Sequence, residues 1–312
     1  MEKKFSSLLV VLAVLLILPF SSKAQTYGNE WINYNQQYYK VKITADGVYR
    51  INYSTLVSQG IPITTFDPRQ FQIFAKGEEQ YIYIKGENDG VFNSSDFIEF
   101  YAERNDGWFD ADMYANPADH PNPDYSFFND TAVYFLTWTT GISNRRLTVE
   151  TDKNFSGYTS ETYVNYVQRK NYYSSYYTGA TDLQGITSSE YTDCEGWFDS
   201  EMSRSSQNPG VPQVYNRNVS TPYAYLSGPQ ARIELLLLGE SNYNGLAPDH
   251  HMTISFAGQL IDTLYEGYVP LKFYRSISPA SLGNPTTVFT FTVPDDLGSG
   301  ADRNALSYIQ IK

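Results

Sequence analysis

The chain has few of the residues that build metal centres and covalent cross-links. Its 312 residues include one Cys and three His. A single thiol cannot form an internal disulfide, and so few His and Cys ligands exclude most zinc sites. Charged residues make up 18% of the chain and hydrophobic residues 41%, so it can bury a core and is not disordered by composition. These absences exclude most zinc enzymes and disulfide-stapled scaffolds.

Basic residues are also scarce. The chain has 22 Lys and Arg against 34 Asp and Glu, a formal net charge of −12. A protein that binds the phosphates of nucleic acid needs the opposite balance. We therefore expect no nucleic-acid partner.

The first 24 residues have the three parts of a secretory signal peptide. Lys3 and Lys4 form a basic start, Leu8 to Phe20 is an almost unbroken apolar run, and Ala24 precedes the cleavage expected before Gln25. The run is shorter than the roughly 20 residues of a comfortable membrane span, although an uncleaved anchor stays the alternative. Cleavage removes three Lys and one Glu and leaves 19 basic and 33 acidic residues, net −14. We expect an exported protein in the periplasm, at the outer-membrane surface or outside the cell, with no transmembrane segment after cleavage.

Short alternating or aromatic-rich runs, separated by Gly, Asn, Asp and Pro, predict β-strands along the mature chain. Asp46-Gly47 and residues 76–79 predict two hairpins, Ala257-Gly258-Gln259 predicts a tight link between two strands, and a helix is expected only at 54–59. The expected strands are 38–43, 48–51, 71–75, 81–85, 97–101, 131–138, 146–150, 232–238, 251–256, 260–265, 288–293 and 306–311.

Many short strands at this spacing predict an all-β fold with few short helices. A polar stretch at 151–162 marks a domain boundary. We expect a signal peptide at 1–24, an N-terminal β-domain at 25–150 and a jelly-roll-like β-sandwich at 160–312. The last expected strand runs almost to Lys312, so we expect the native chain to continue beyond it.

One local repeat favours a calcium loop. Asn88-Asp89-Gly90 recurs 17 residues later as Asn105-Asp106-Gly107 among many acidic residues. Hard oxygen ligands on a loop bent at Gly suit calcium, although the register of an EF-hand fails because Lys85 and Ala102 fall at its first position. The alternative is two Asp-Gly turns with Phe92 and Phe109 packed beneath them. The candidate ligands are Glu87, Asp89, Asn93 and Asp96, with calcium as a possible but not a required cofactor.

The sequence offers no strong catalytic motif. It has no nucleophile elbow, phosphate loop or dinucleotide fingerprint. Cys194 lies between Asp193 and Glu195, which disfavour the thiolate that a catalytic Cys needs. A dyad of Cys194 with His251 is one interpretation, and a buried Cys with a strand-edge His is the other. We predict no catalytic residue in this chain.

Four tyrosines stand close together at 172–177, as Tyr172, Tyr173, Tyr176 and Tyr177. Aromatic faces bind the apolar faces of sugars, so this tract predicts either a sugar-stacking platform or loop packing.

An ordered series of short motifs resembles the gingipain-type cysteine peptidases, and more closely the sortase-like proteins of the type IX secretion system (the PorU family). In chain order the motifs are Trp31-Ile32-Asn33-Tyr34, Tyr38-Tyr39-Lys40, Asp46-Gly47-Val48-Tyr49-Arg50, Asp89-Gly90-Val91-Phe92, Asp96-Phe97-Ile98-Glu99-Phe100-Tyr101, Asn122-Pro123-Asp124-Tyr125-Ser126, residues 130–138 and residues 303–311.

The resemblance implies a caspase-like domain with a His and a Cys nucleophile after residue 312. No residue here matches that domain's catalytic motifs, so this chain would be a non-catalytic accessory region. Its implied partners are the downstream peptidase domain, secretion-system components and secreted cargo. The alternative function is a stand-alone surface module that binds glycan or protein. A third interpretation, an enzyme complete in this chain, requires Cys194.

Overall fold

The computed structural model of the protein describes residues 28–180 and 191–312, and antiparallel strands dominate both parts. The predicted signal peptide lies outside the described residues. The first seven strands are β1 (Tyr39–Ile43), β2 (Gly47–Asn52), β3 (Phe71–Ala75), β4 (Glu78–Glu79), β5 (Ile82–Lys85), β6 (Phe97–Ala102) and β7 (Ala132–Trp138). The others are β8 (Gln168–Asn171), β9 (Ser175–Tyr177), β10 (Gly196–Phe198), β11 (Met202–Ser203), β12 (Gln213–Ser220), β13 (Ala231–Gly239), β14 (His250–Phe256), β15 (Gln259–Tyr265), β16 (Pro270–Ile277), β17 (Thr286–Val293) and β18 (Arg303–Ile311).

Helical structure is short, as predicted. One α-helix, α1 (Tyr53–Ser58), occurs in the described part of the chain, and it buries Leu56. The 3₁₀ turns are Pro68–Gln70, Glu87–Asp89, Asp110–Met113, Pro117–Asp119 and Pro279–Ser281. Within the described ranges, no helix combines the length and the apolar character that a membrane crossing requires.

The chain divides into two compact units. Among the described residues, the first unit contains 28–42, 47–101 and 133–148, and the second contains 43–46, 102–132, 149–180 and 191–312. The sequence-based boundaries at 150 and 160 place 102–132 in the first domain, whereas the contacts place this segment in the second unit. The domain boundaries themselves stay a prediction.

The first unit contains two sheets. One has the order β1-β7-β3-β4 and the other the order β2-β6-β5. Strand β3 alternates between fully and partly buried positions, with Phe71 and Ile73 completely buried. Such alternation is typical of a strand with one face on the core.

The second unit is a β-sandwich. A five-stranded sheet runs β11-β18-β13-β16 with β8 paired to β18, and a four-stranded sheet runs β12-β17-β14-β15. Apolar side chains of both sheets form one buried cluster, which includes Leu235 and Ile309 from the first sheet and Ile254 and Phe291 from the second. The all-β fold class and the sandwich are therefore confirmed.

One of the three predicted turns forms the predicted hairpin. Strands β14 and β15 pair directly, with Phe256 opposite Gln259. The two residues between them, Ala257 and Gly258, have φ angles of 47° and 76°. Left-handed conformations at both central residues match the right-handed twist of the flanking strands, so this link could be read locally.

The other two predicted hairpins are wrong. Strand β1 joins the sheet of β7, and β2 joins the sheet of β6. Gly47 lacks the left-handed φ that a two-residue Asp-Gly hairpin requires. Strand β3 pairs with the short β4, while β5 pairs with β6. The turn at Asp46-Gly47 thus passes the chain from one sheet to the other. The turn after β3 leads into β4, a short strand that the sequence did not predict.

The strand predicted at 146–150 is also wrong. Only an isolated bridge forms there, between Arg146 and Ile82. Leu147 and Val149 are 47% and 59% exposed. Apolar side chains that bury so little surface give a strand little stability, and the segment continues as irregular chain.

Candidate functional site

Cys194 lies in the interior of the second unit. It is 2% exposed and packs with Phe198, Leu238 and Ala305. Burial, reinforced by the neighbouring carboxylate of Asp193, raises the pKa of the thiol far above its ordinary value. A thiol held in its protonated form is a poor nucleophile.

His250 is a fully buried structural residue. Its Nδ1 lies 2.9 Å from a carboxylate oxygen of Asp302, and its Nε2 lies 2.9 Å from the carbonyl oxygen of Ser241. The imidazole stacks on Tyr265 with ring centroids 4.7 Å apart. Burial is the largest single influence and lowers the pKa of His250, but the hydrogen bonds with Asp302 and the Ser241 carbonyl, together with the charges of Asp302 and Asp249, outweigh it, so the pKa is raised.

His251 is held between two carboxylates. Its Nδ1 lies 2.8 Å from Asp296 and its Nε2 lies 2.9 Å from Asp262. Neither His251 nor His250 therefore has a ring nitrogen available for the thiol of Cys194. The structure does not assemble the Cys194–His251 dyad.

His120, to which the sequence analysis assigns no role, directly follows a residue that is hydrogen-bonded to Cys194. The amide of Cys194 donates to the carbonyl of Asp119, 3.1 Å away. His120 is 8% exposed, lies against the rings of Tyr114 and Phe127, and has no hydrogen-bond partner at either ring nitrogen. Burial lowers its pKa, so the imidazole is neutral and part of an aromatic cluster.

The tyrosine tract at 172–177 serves mainly as packing. Tyr172 is 8% exposed. Tyr176 packs edge-on against Trp197, and Tyr177 packs edge-on against Phe198. These contacts support the loop-packing interpretation of the tract and not the sugar-stacking platform.

The exception in this tract is Tyr173, which is 58% exposed. It stacks on Tyr125 with ring centroids 4.9 Å apart, at an open cavity of about 640 Å³. Two basic side chains of this cavity already have protein partners. Arg169 pairs with Asp124 at 2.9 Å, and Lys170 donates to the carbonyl of Asn218 at 3.0 Å.

The predicted calcium ligands lie on one loop of the first unit, and each makes contacts with protein atoms. Glu87 pairs with Arg146 at 2.9 Å. Asp89 accepts from the amide of Val91 at 2.9 Å and from the side-chain amide of Asn93 at 3.1 Å. Asp96 is buried and accepts from the backbone amide of Asn93 at 2.6 Å. In the described part of the chain, no three His, Cys, Asp or Glu side chains form a group that could hold a metal ion. The calcium loop stays a prediction.

Both copies of the repeat form turns in which a side chain caps the backbone. Asn105 accepts from the amide of Gly107 at 3.1 Å, as Asp89 does from Val91. Of the two phenylalanines expected beneath the turns, Phe92 is 2% exposed but Phe109 is 63% exposed. The packing prediction is therefore wrong for Phe109, whose ring lies against Trp108 instead.

A cavity with an aromatic wall lies at one end of the β-sandwich, where β12, β16 and β18 end and β8, β13 and β17 begin. We call it the tyrosine groove and define it by Tyr163, Tyr223, Tyr225, Asn165 and Gln230. Its volume is about 770 Å³. Small-ligand pockets typically measure about 300–1,000 Å³.

The wall of the groove is held by local hydrogen bonds. The amide of Gly228 donates to the carbonyl of Tyr225 at 2.9 Å and closes a turn. The hydroxyl of Thr221 donates to the carbonyl of Gly283 at 2.7 Å and lies 2.9 Å from the hydroxyl of Thr287. These bonds fix the loop after β12 against the segment before β17.

Tyr163 and Tyr225 form a stacked pair in the groove. Their ring centroids are 5.4 Å apart and their planes differ by 14°. The rings are 42% and 43% exposed, respectively. Two aromatic side chains that support each other lose little freedom when a ligand binds.

Tyr223 lines the same groove and has an unfavourable backbone conformation. Its φ is +61° and the residue is 96% exposed. A left-handed conformation at a bulky residue costs about 1–3 kcal/mol, and burial of the ring does not offset this cost. The sequence analysis did not identify the groove; the signal that could have indicated it is the loop Thr221-Pro222-Tyr223-Ala224-Tyr225, in which two tyrosines flank a small residue after Pro.

Among the comparisons with known proteins, the one with solved structures shows that the fold of this chain is similar to that of a known protein. No protein-family model matches the chain, and none of the curated protein sequences matches it significantly. The crystal structure of dimeric latent PorU from Porphyromonas gingivalis aligns with a TM-score of 0.50 at 12% identity. The alignment covers 88% of this chain and 24% of that one, so this chain spans about a quarter of the length of PorU.

Two other solved structures align with this chain at lower TM-scores. The CBM36-1 domain of a multidomain xylanase from the hindgut metagenome of Trinervitermes trinervoides aligns with a TM-score of 0.24 at 10% identity, over 47% of this chain and 95% of that domain. A ruminal GH26 endo-β-1,4-mannanase aligns with a TM-score of 0.23 at 11% identity, over 49% of this chain and 27% of that one.

Proposed function

We propose that this chain is the non-catalytic N-terminal accessory region of an exported gingipain-like cysteine endopeptidase, of the sortase type that processes secreted cargo in type IX secretion. The observation that supports this proposal is the fold similarity to latent PorU, which extends over 88% of this chain and only 24% of PorU. This relation is expected when an accessory region is aligned with a larger protein, because the alignment then covers most of the region and a small part of the protein. The order of the motifs from Trp31 to Ile311 points the same way.

In this proposal the chemistry belongs to the peptidase domain of the same protein, and the described β-units act through packing and partner contacts. The buried, protonated thiol of Cys194 supports a non-catalytic role. The partners are the downstream peptidase domain and either secretion-system components or secreted cargo. The location is the periplasm, the outer-membrane surface or the extracellular space.

The gene beyond the Lys312 codon tests this proposal first. We expect an open frame that encodes an α/β domain with a paired His and Cys. The full-length protein should then keep its peptidase activity in a Cys194→Ala variant and lose it when the Cys of the downstream domain is changed. A stop codon directly after Lys312, or loss of activity in Cys194→Ala with an unchanged melting curve, would contradict the proposal.

A second function, a stand-alone surface module that binds glycan or protein, is favoured by the tyrosine groove. It predicts that the chain binds its ligand without a peptidase domain. Binding by the chain together with a stop codon after Lys312 would support it over the first proposal.

A further inference from the structure

The tyrosine groove presents aromatic surface that the fold does not need. The ring of Tyr223 is 96% exposed, and its backbone lies at φ +61°. A strained and solvated tyrosine contributes little to the stability of the free protein. An outlier of this kind points to a role in binding.

The wall of the groove carries almost no charge. Among its described lining residues, Lys312 is the one charged side chain, and no carboxylate side chain lines the groove. In a chain with 34 Asp and Glu, a wall without acidic side chains disfavours a cationic ligand, and a single lysine gives little attraction for a polyanion. The groove therefore suits a neutral ligand.

Hydrogen-bonding groups of the groove are neutral as well. Asn165 and Gln230 are exposed in the groove, and Gln168 is partly exposed. Each side-chain amide both donates and accepts, which suits hydroxyl groups. A ligand that combines apolar ring faces with neutral hydroxyls meets both the tyrosine faces and these amides.

We propose that the tyrosine groove binds a segment of a neutral oligosaccharide. Sugar rings stack on Tyr223 and on the exposed face of the Tyr163–Tyr225 pair, and the amides of Asn165 and Gln230 bond the sugar hydroxyls. This site goes beyond the accessory role and rests on the second function proposed above, whose ligand class it names. All described lining residues of the groove belong to the second unit.

The test is titration calorimetry of the full chain with neutral hexasaccharides: cellohexaose, xylohexaose, mannohexaose, laminarihexaose and maltohexaose. We expect saturable binding of at least one of them. Tyr223→Ala should weaken binding about tenfold or more, as expected for loss of a central aromatic contact. Tyr223→Phe, which keeps the ring face, should bind as the parent does.

The matched control is Tyr158→Ala, because Tyr158 is 77% exposed in the same unit and does not line the groove. It should leave the affinity unchanged. Absence of binding to all five hexasaccharides overturns the inference, as does equal weakening by Tyr158→Ala. Concentration-dependent self-association that Tyr223→Ala abolishes, measured by sedimentation velocity, also overturns it, because a second copy would then occupy the groove. None of these results bears on whether a peptidase domain follows Lys312.

Discussion

His251 and Asp296 are 45 residues apart in the sequence, and their side chains meet at 2.8 Å. The contact ties the start of β14 to the loop before β18, and Asp262 completes the pair of carboxylates around the imidazole. Burial lowers the pKa of His251, but the hydrogen bonds with both carboxylates outweigh burial and raise the pKa above 6.5.

This raised pKa predicts that the His251 contact stabilises the fold at low pH and not at high pH. The contribution is fully present below the unfolded value near 6.5 and is lost as pH rises through the raised folded value. His251→Gln should therefore lower the free energy of unfolding at about pH 5.5 by up to about 1 kcal/mol, since both carboxylates are half-exposed. At about pH 8.5 the variant should approach the parent. Urea denaturation at both pH values measures this, and an equal loss at the two values would contradict it.

His120 predicts the opposite pH dependence. Its pKa is lowered by burial from 6.5, so its contribution to stability is present above 6.5 and is lost as pH falls towards the lowered folded value. His120→Phe should remove this acid-side loss. It should also raise the free energy of unfolding by about 1–3 kcal/mol, provided that the phenyl ring fits against Tyr114 and Phe127, because both ring nitrogens of His120 are buried without a hydrogen-bond partner.

Urea denaturation of the parent and His120→Phe between about pH 5 and pH 7.5 measures the difference. The difference in the free energy of unfolding between His120→Phe and the parent should widen as pH falls. A gap that is independent of pH would show that the imidazole has a partner when protonated.

Substitution of Gly86 is expected to lower the free energy of unfolding of the first unit. Its φ is +89°, and a Cβ there would lie 2.3 Å from the carboxyl carbon of the buried Asp96. Gly86→Ala should destabilise the protein by more than about 2 kcal/mol, because strain and overlap add. Gly60 is the matched control, with φ +70° and no atom within 4 Å of its Cβ position. Gly60→Ala should cost only the backbone strain, about 1 kcal/mol. Equal costs in thermal denaturation would contradict the overlap.

The calcium loop of Glu87, Asp89, Asn93 and Asp96 predicts that a chelator lowers the melting temperature and that added calcium restores it. Asp89→Asn should weaken the response to calcium, because it removes one ligand charge. Asp112→Asn, outside the predicted ligand set, is the control. A melting curve that is unchanged by the chelator would contradict bound calcium and leave the turn interpretation.

The strand pattern of this fold was largely readable from sequence, but the pairing was not. Alternation at 71–75 and 251–256 reports which face of a strand is buried, and Ala257-Gly258 encodes its own hairpin locally. Strand β1 pairs with β7, and β13 pairs with β18. Such partners depend on contacts distant in sequence, which no local pattern records. Strand β12 was missed because its inward face carries the polar Gln213 and Arg217, while the apolar Val214 lies on the exposed face.

An acidic, β-rich chain with one thiol and no recognisable catalytic motif is evident from the amino-acid sequence alone. The roles of its chemical groups were set by the tertiary structure. It buried Cys194, gave both ring nitrogens of His250 and His251 to other partners, and brought Tyr163 against Tyr225 from 62 residues away in the chain. The physical reason is that pKa values and aromatic stacking depend on burial and on neighbours in space, and in a β-sandwich those neighbours come from distant strands.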